Sequence, residues 1–125
     1  MNQSNPSHTS RITTHVLDAA TGIPAEGVPV ELSGRVGGGA PGGGEWRVMA
    51  EGTTDADGRI MRLGGDDLPA GEYRIRFDTG AYFRARNAET FYPEAVVTFI
   101  VTDDGRHVHV PLLLSPFAYS TYRGS

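Results

Sequence analysis

From Arg11 onward the chain is cut into short segments in which apolar and polar residues alternate, with Gly, Pro and Asp standing at the breaks. With 17 Gly and 8 Pro among 125 residues, long helices have little room, because Gly costs a helix interior about 1 kcal/mol and Pro about 3. Alternation with period two is the mark of strands that bury one face and wet the other. It predicts strands at residues 13–17, at 28–32 with Val28, Val30 and Leu32 inward, at 46–50 and at 59–63. Another follows where Tyr73, Ile75 and Phe77 alternate with Arg74 and Arg76, then strands at 95–101 and 106–114. The apolar run at 95–101 reads as buried on both faces. One interruption stands out. Ala81, Tyr82, Ala85 and Ala88 recur at helical spacing behind Asp78, a good N-cap, which predicts a short helix over 79–87. Seven or eight strands with turn signals every roughly 8–12 residues argue for an all-β, two-sheet antiparallel sandwich.

The length suits one domain, expected over residues 11–125 behind a polar, disordered lead at 1–10. A formal charge of −4 and a pI near 5.5 provide no basic face for nucleic acid or an anionic membrane. No apolar stretch reaches the ~20 residues of a membrane span, and the first residues lack the apolar core of a secretory signal; a cytoplasmic location is expected. The chain has no cysteine, which removes disulfides and thiolate chemistry and suits a reducing compartment. All eleven basic residues are Arg, so no Schiff-base lysine is available, and fixed planar cations favour oxygen-rich ligands.

Several patterns could carry chemistry. The Gly-rich tract at 37–44 reads as a hairpin loop, since a phosphate-cradling loop needs a following Gly-Lys-Ser/Thr and the chain has no lysine. Ser115, Ser120 and Ser125 have no strand-to-helix elbow to activate them. The pairs Asp66-Asp67 and Asp103-Asp104 read as solvated turns. His107 and His109, two apart in a strand, leave one face roughly 6–7 Å apart, while Val108 and Val110 point to the other. Three readings stand for them: surface residues, zinc ligands together with His15, or acid–base groups with a pKa near ~6.5. Phe117, Tyr119 and Tyr122 crowd the last residues of the sequence. Rings of this size are costly to leave in water, so the tail is expected to dock on the domain or on another subunit.

Taken together, His15-Val16-Leu17-Asp18, Thr21-Gly22-Ile23-Pro24-Ala25, Thr54-Asp55-Ala56-Asp57-Gly58-Arg59, the run from His107 to Ser115 and Tyr122-Arg123-Gly124-Ser125 resemble the transthyretin-related 5-hydroxyisourate hydrolases. The resemblance spans residues 12–125, and the Tyr-Arg-Gly-Ser end is its most specific part. It implies a transthyretin-like sandwich with one short helix, assembled as a homotetramer with sites where subunits meet. It also implies hydrolysis of the lactam of 5-hydroxyisourate, a product of urate oxidation, with no metal or other cofactor. By position it makes His15, Arg59 and His109 the catalytic residues, with Tyr122 and Ser125 lining the same pocket. Those residue types suit the reaction: a base takes water's proton and a cation meets the developing oxyanion. His109 is taken as the base, His15 as orienting the water or relaying its proton, and Arg59 as the clamp on substrate oxygens, although the sequence does not decide which histidine is the base. His107 is either a supporting residue behind His109 or an ordinary strand position. The rival reading is a carrier of the same fold that binds a small aromatic ligand without chemistry.

Overall fold

A computed structural model describes residues 10–35 and 44–125; the polar lead up to residue 9 and the Gly-rich tract at 37–44, apart from Gly44, lie outside the described residues. Two sheets face each other. The first contains β1 (Ile12–Asp18), β2 (Ile23–Pro24), β5 (Arg59–Ile60), β8 (Val108–Ser115) and β9 (Ala118–Thr121), in the order β2-β1-β8-β9 with β5 also on β1. The second has the order β4-β3-β6-β7, from β3 (Pro29–Arg35), β4 (Arg47–Thr53), β6 (Gly71–Phe77) and β7 (Ala95–Val101). The pleat sorts side chains as the alternation predicts: Ile12, Val16, Leu112 and Leu114 from one sheet meet Val30, Leu32, Tyr73, Ile75 and Phe77 from the other, all buried. Each contributes about 1.5–3 kcal/mol of burial.

Three features differ from the sequence reading. Strand pairing is antiparallel throughout the described residues except that β1 and β8 run parallel. Parallel neighbours need a long crossover, and here the entire second sheet serves as one. The run in β7 is not buried on both faces: Ala95 and Val101 are buried, but Val96 is 38 % and Ile100 69 % exposed, because in a two-sheet sandwich only one face of each strand meets the core. The strand expected at 59–63 stops at Ile60. There the Met61 carbonyl accepts from the Ser10 amide (2.9 Å) and the Leu63 amide donates to Ser10 Oγ (2.8 Å), which bends the chain off the ladder. Ser10, assigned to the lead, is therefore a buried part of the domain.

The helix α1 (Thr79–Ala85) starts where expected. Asp78 Oδ1 accepts from the Ala81 amide at 3.1 Å, and the helix ends two residues early as Asn87 turns to φ 55°. It buries Tyr82 and Phe83 rather than the alanines. Tyr82 reaches the end of β1, where its hydroxyl donates to Asp18 Oδ2 (2.7 Å) while Asp18 Oδ1 accepts from the Ala20 and Thr21 amides. Burial, together with that carboxylate, pushes the phenol up to about 12.

Candidate functional site

The site is a product of register. Residues paired across a ladder share a face, and so do residues two apart along a strand. His15 is opposite Arg59 in the β1–β5 pair and Thr13 is opposite His109 in the β1–β8 pair. Thr13 and His15 are two apart, as are His107 and His109, so all five side chains emerge on the outer face of the first sheet.

Arg59 is delivered by a closed turn. Asp55 Oδ1 accepts from the amides of Asp57 and Arg59, both at 2.9 Å, while the Asp55 amide donates to the Arg59 carbonyl at 3.0 Å. Gly58 sits at φ +74°, and a Cβ there would run into the carbonyl oxygen of Val16, so only glycine lets the turn lie flat on β1. The tail closes the opposite side. Strand β9 pairs with β8, and beyond it the Gly124 amide donates to the His109 carbonyl at 2.9 Å. A Cβ on Gly124 would stand 2.6 Å from His109 Cδ2; the bare glycine backbone is what allows the tail to rest against the imidazole. Docking is thus made largely by backbone pairing, with the Thr121 hydroxyl donating to the Pro111 carbonyl at 2.6 Å. Of the rings expected to anchor it, Tyr119 packs edge-to-face on Tyr92 with centroids 5.2 Å apart, while Phe117 and Tyr122 face outward, 62 % and 59 % exposed.

A cavity of about 180 Å³ is lined by Thr13, Arg59, Met61, His107, His109 and Ser125. His15 flanks it through its pairing with Arg59. Tyr122 does not line this cavity; it borders a neighbouring groove of about 340 Å³ with Phe99, Ile100 and Thr121, and His109 is common to the two. Both site imidazoles are held below the usual value of 6.5. For His15 the largest cause is burial, then the Arg59 cation, against a backbone hydrogen bond to Asp57 and the carboxylates of Asp55 and Asp57. For His109 burial is again first, followed by His107, Arg59 and His15. The set therefore offers neutral imidazoles beside a permanent cation at pH 7, the pairing that activates water against a polarised carbonyl. Among the described residues no group of three or more His, Cys, Asp or Glu is placed to hold a metal ion.

One site residue was missed by the sequence reading. Thr13, 2 % exposed, sits between His107, just ahead of β8, and His109 within it, its Oγ1 2.9 Å from His107 Nε2 and 2.7 Å from His109 Nδ1. The only trace in the sequence is that Thr13 stands two before His15 and so shares its face.

The chain matches the model of the HIUase/Transthyretin family over residues 12–124. It belongs to that family. It is 45% identical over 120 residues to the 5-hydroxyisourate hydrolase of Caulobacter vibrioides, covering 93% of this chain and 99% of that one. Among solved structures, the Klebsiella pneumoniae 5-hydroxyisourate hydrolase superposes with a TM-score of 0.77 at 40% identity, covering 91% of this chain and 98% of that one. Sea bream transthyretin in complex with thyroxine gives 0.80 at 35% identity, covering 91% and 94%. The fold is transthyretin-like, and backbone similarity of this degree does not separate catalyst from carrier; the side chains at the site have to do so.

Proposed function

We propose that this chain hydrolyses the lactam of 5-hydroxyisourate, as the Caulobacter and Klebsiella relatives are named for doing. The observation that carries the reading is the register that brings Arg59, His15 and His109 onto one face with both imidazoles held neutral. His109 acts as the base, removing a proton from water as its oxygen attacks the lactam carbonyl, and returns that proton to the departing nitrogen. His15 orients the water. The forked guanidinium of Arg59 grips the substrate oxygens and meets the negative charge of the tetrahedral intermediate, a stabilisation worth ~10²–10³ in rate. Ser125 closes the cavity on the open side, and Tyr122 borders the substrate from the adjoining groove. The product is the ring-opened carboxylate, and no step calls for a metal.

The outward apolar residues Ile100 and Tyr122 line the groove that shares His109 with the site, which supports a homotetramer whose subunits meet there. The lack of cysteine suits the reducing cytoplasm. The experiment is direct: 5-hydroxyisourate made in the cuvette by urate oxidase decays on its own, and the purified protein must accelerate that decay. Decay at the blank rate, with tight binding of a small aromatic ligand, would instead establish the carrier reading favoured by the likeness to transthyretin.

A further inference from the structure

A threonine hydroxyl carries one proton and two lone pairs, yet Thr13 Oγ1 lies within hydrogen-bond distance of two imidazole nitrogens, His109 Nδ1 and His107 Nε2. One proton cannot serve both contacts. At least one of the rings must donate N–H to the hydroxyl, and the arrangement chosen fixes the tautomer of His109. If Thr13 donated to His109 Nδ1, the neutral ring would carry its proton on Nε2, spending the lone pair that a base needs. It would also place a second N–H dipole beside the Arg59 cation that lines the same cavity. If His109 donates from Nδ1, the Nε2 lone pair stays free in the cavity that Arg59 also lines, and a lone pair beside a cation is electrostatically favoured. Thr13 can then pass its own proton to His107 Nε2. His107 is exposed, so its other nitrogen is satisfied by water whichever tautomer it adopts. The rings of His107 and His109 are held 6.4 Å apart and only 20° from parallel, the geometry of two planes hung from one hydroxyl.

We propose that Thr13 is a positioning residue that holds His109 as the Nδ1–H tautomer, with His107 fixing the direction of the Thr13 hydroxyl. The chain runs His109 Nδ1–H to Thr13 Oγ1–H to His107 Nε2. It does for this base what a carboxylate or backbone carbonyl does for many catalytic histidines, setting which nitrogen is free and keeping the ring from turning. The inference deepens the hydrolase reading and rests on His109 as the base.

The test has a spectroscopic and a kinetic arm. Nitrogen-15 chemical shifts of the imidazoles at pH 7.5 are expected to show His109 protonated on Nδ1, and a His109 protonated on Nε2 overturns the proposal. This readout needs no turnover, so it stands even if the hydrolase assay fails. In the kinetic arm, Thr13→Val keeps the shape and loses the hydroxyl. It should lower kcat about 10–100-fold, the usual cost of losing such a partner, with little change in KM and with His109 relaxed to mixed tautomers. Thr13→Ser restores the hydroxyl and should return kcat to within a few-fold of native. Native kcat and an unchanged His109 tautomer in Thr13→Val would sink the idea, as would a Thr13→Ser variant as slow as Thr13→Val. Should Thr13→Val not fold, Thr13→Ala against Thr13→Ser makes the same comparison.

Discussion

Arg59 and His15 face each other across two strands because one turn of four residues fits flat against β1, and their proximity has measurable consequences. Arg59→Lys keeps the charge but not the fork, so turnover should fall ~10²–10³-fold while the unfolding midpoint barely moves; near-native turnover in that variant would remove Arg59 from the clamp role. The histidines carry a pH signature. Both titrate below 6.5 in the folded chain, so between those lowered values and 6.5 the unfolded chain binds more protons than the folded one. Stability therefore rises with pH across that window and is lost as pH falls through it. The acid limb of kcat/KM should have its midpoint in the same window, and His109→Asn should remove it at a cost of ~10²–10⁴ in rate. A limb centred above 7 would show that some other group is the base. His15, His109 and Arg59 were legible in the sequence because histidine and arginine announce chemistry wherever they stand. Thr13 was not, because threonine is ordinary in a strand and gains its meaning only from pairing with a residue 96 positions away.

Among the elements, strands with a clean alternation were readable: the inward Tyr73, Ile75 and Phe77 are all fully buried. What alternation cannot show is a strand's neighbours. Strand β7 has an apolar sequence whether it lies inside a sheet or at its margin, and β9 holds its place by backbone hydrogen bonds to β8, which leave no pattern in side chains. The glycines at the two lips of the site are the points where element geometry meets chemistry. Gly124→Ala must displace either the tail or the His109 ring, since the new methyl would stand 2.6 Å from Cδ2. We expect a fall in kcat of at least about tenfold from the misplaced ring with an unfolding midpoint close to native, checked by parallel kinetics and thermal melts. Gly58→Ala meets backbone on both β1 and the segment after β2 at a positive φ. It should cost about 1–3 kcal/mol of stability, read by urea titration.

At the scale of the whole molecule, exposed Ile100 and Tyr122 line one groove, an apolar surface suited to meeting another subunit under the proposed assembly. Light scattering should return a mass near four chains. Deleting Arg123 to Ser125 removes the Gly124 contact with His109 and the Ser125 wall of the cavity, while sparing β9. The shortened chain should fold and assemble as the full one does, with its hydrolase rate down at least ~10²-fold; full activity would place the site elsewhere. The sequence could not reveal how the first sheet is assembled, because that depends on the pairing of β1 with β8, segments lying far apart in the chain.

That same parallel contact between β1 and β8 also sets a timetable. Strand β1 leaves the ribosome early, and the strand that supplies His109 follows only after the whole second sheet has been made. Pairing across so long a loop is the slow, entropically expensive step of folding. A nascent chain can therefore gather much of its core well before Thr13 meets His109. Hydrolysis would wait for that pairing and for the tail that docks on β8 after it, so the onset of turnover reports late events of folding rather than the early gathering of the core.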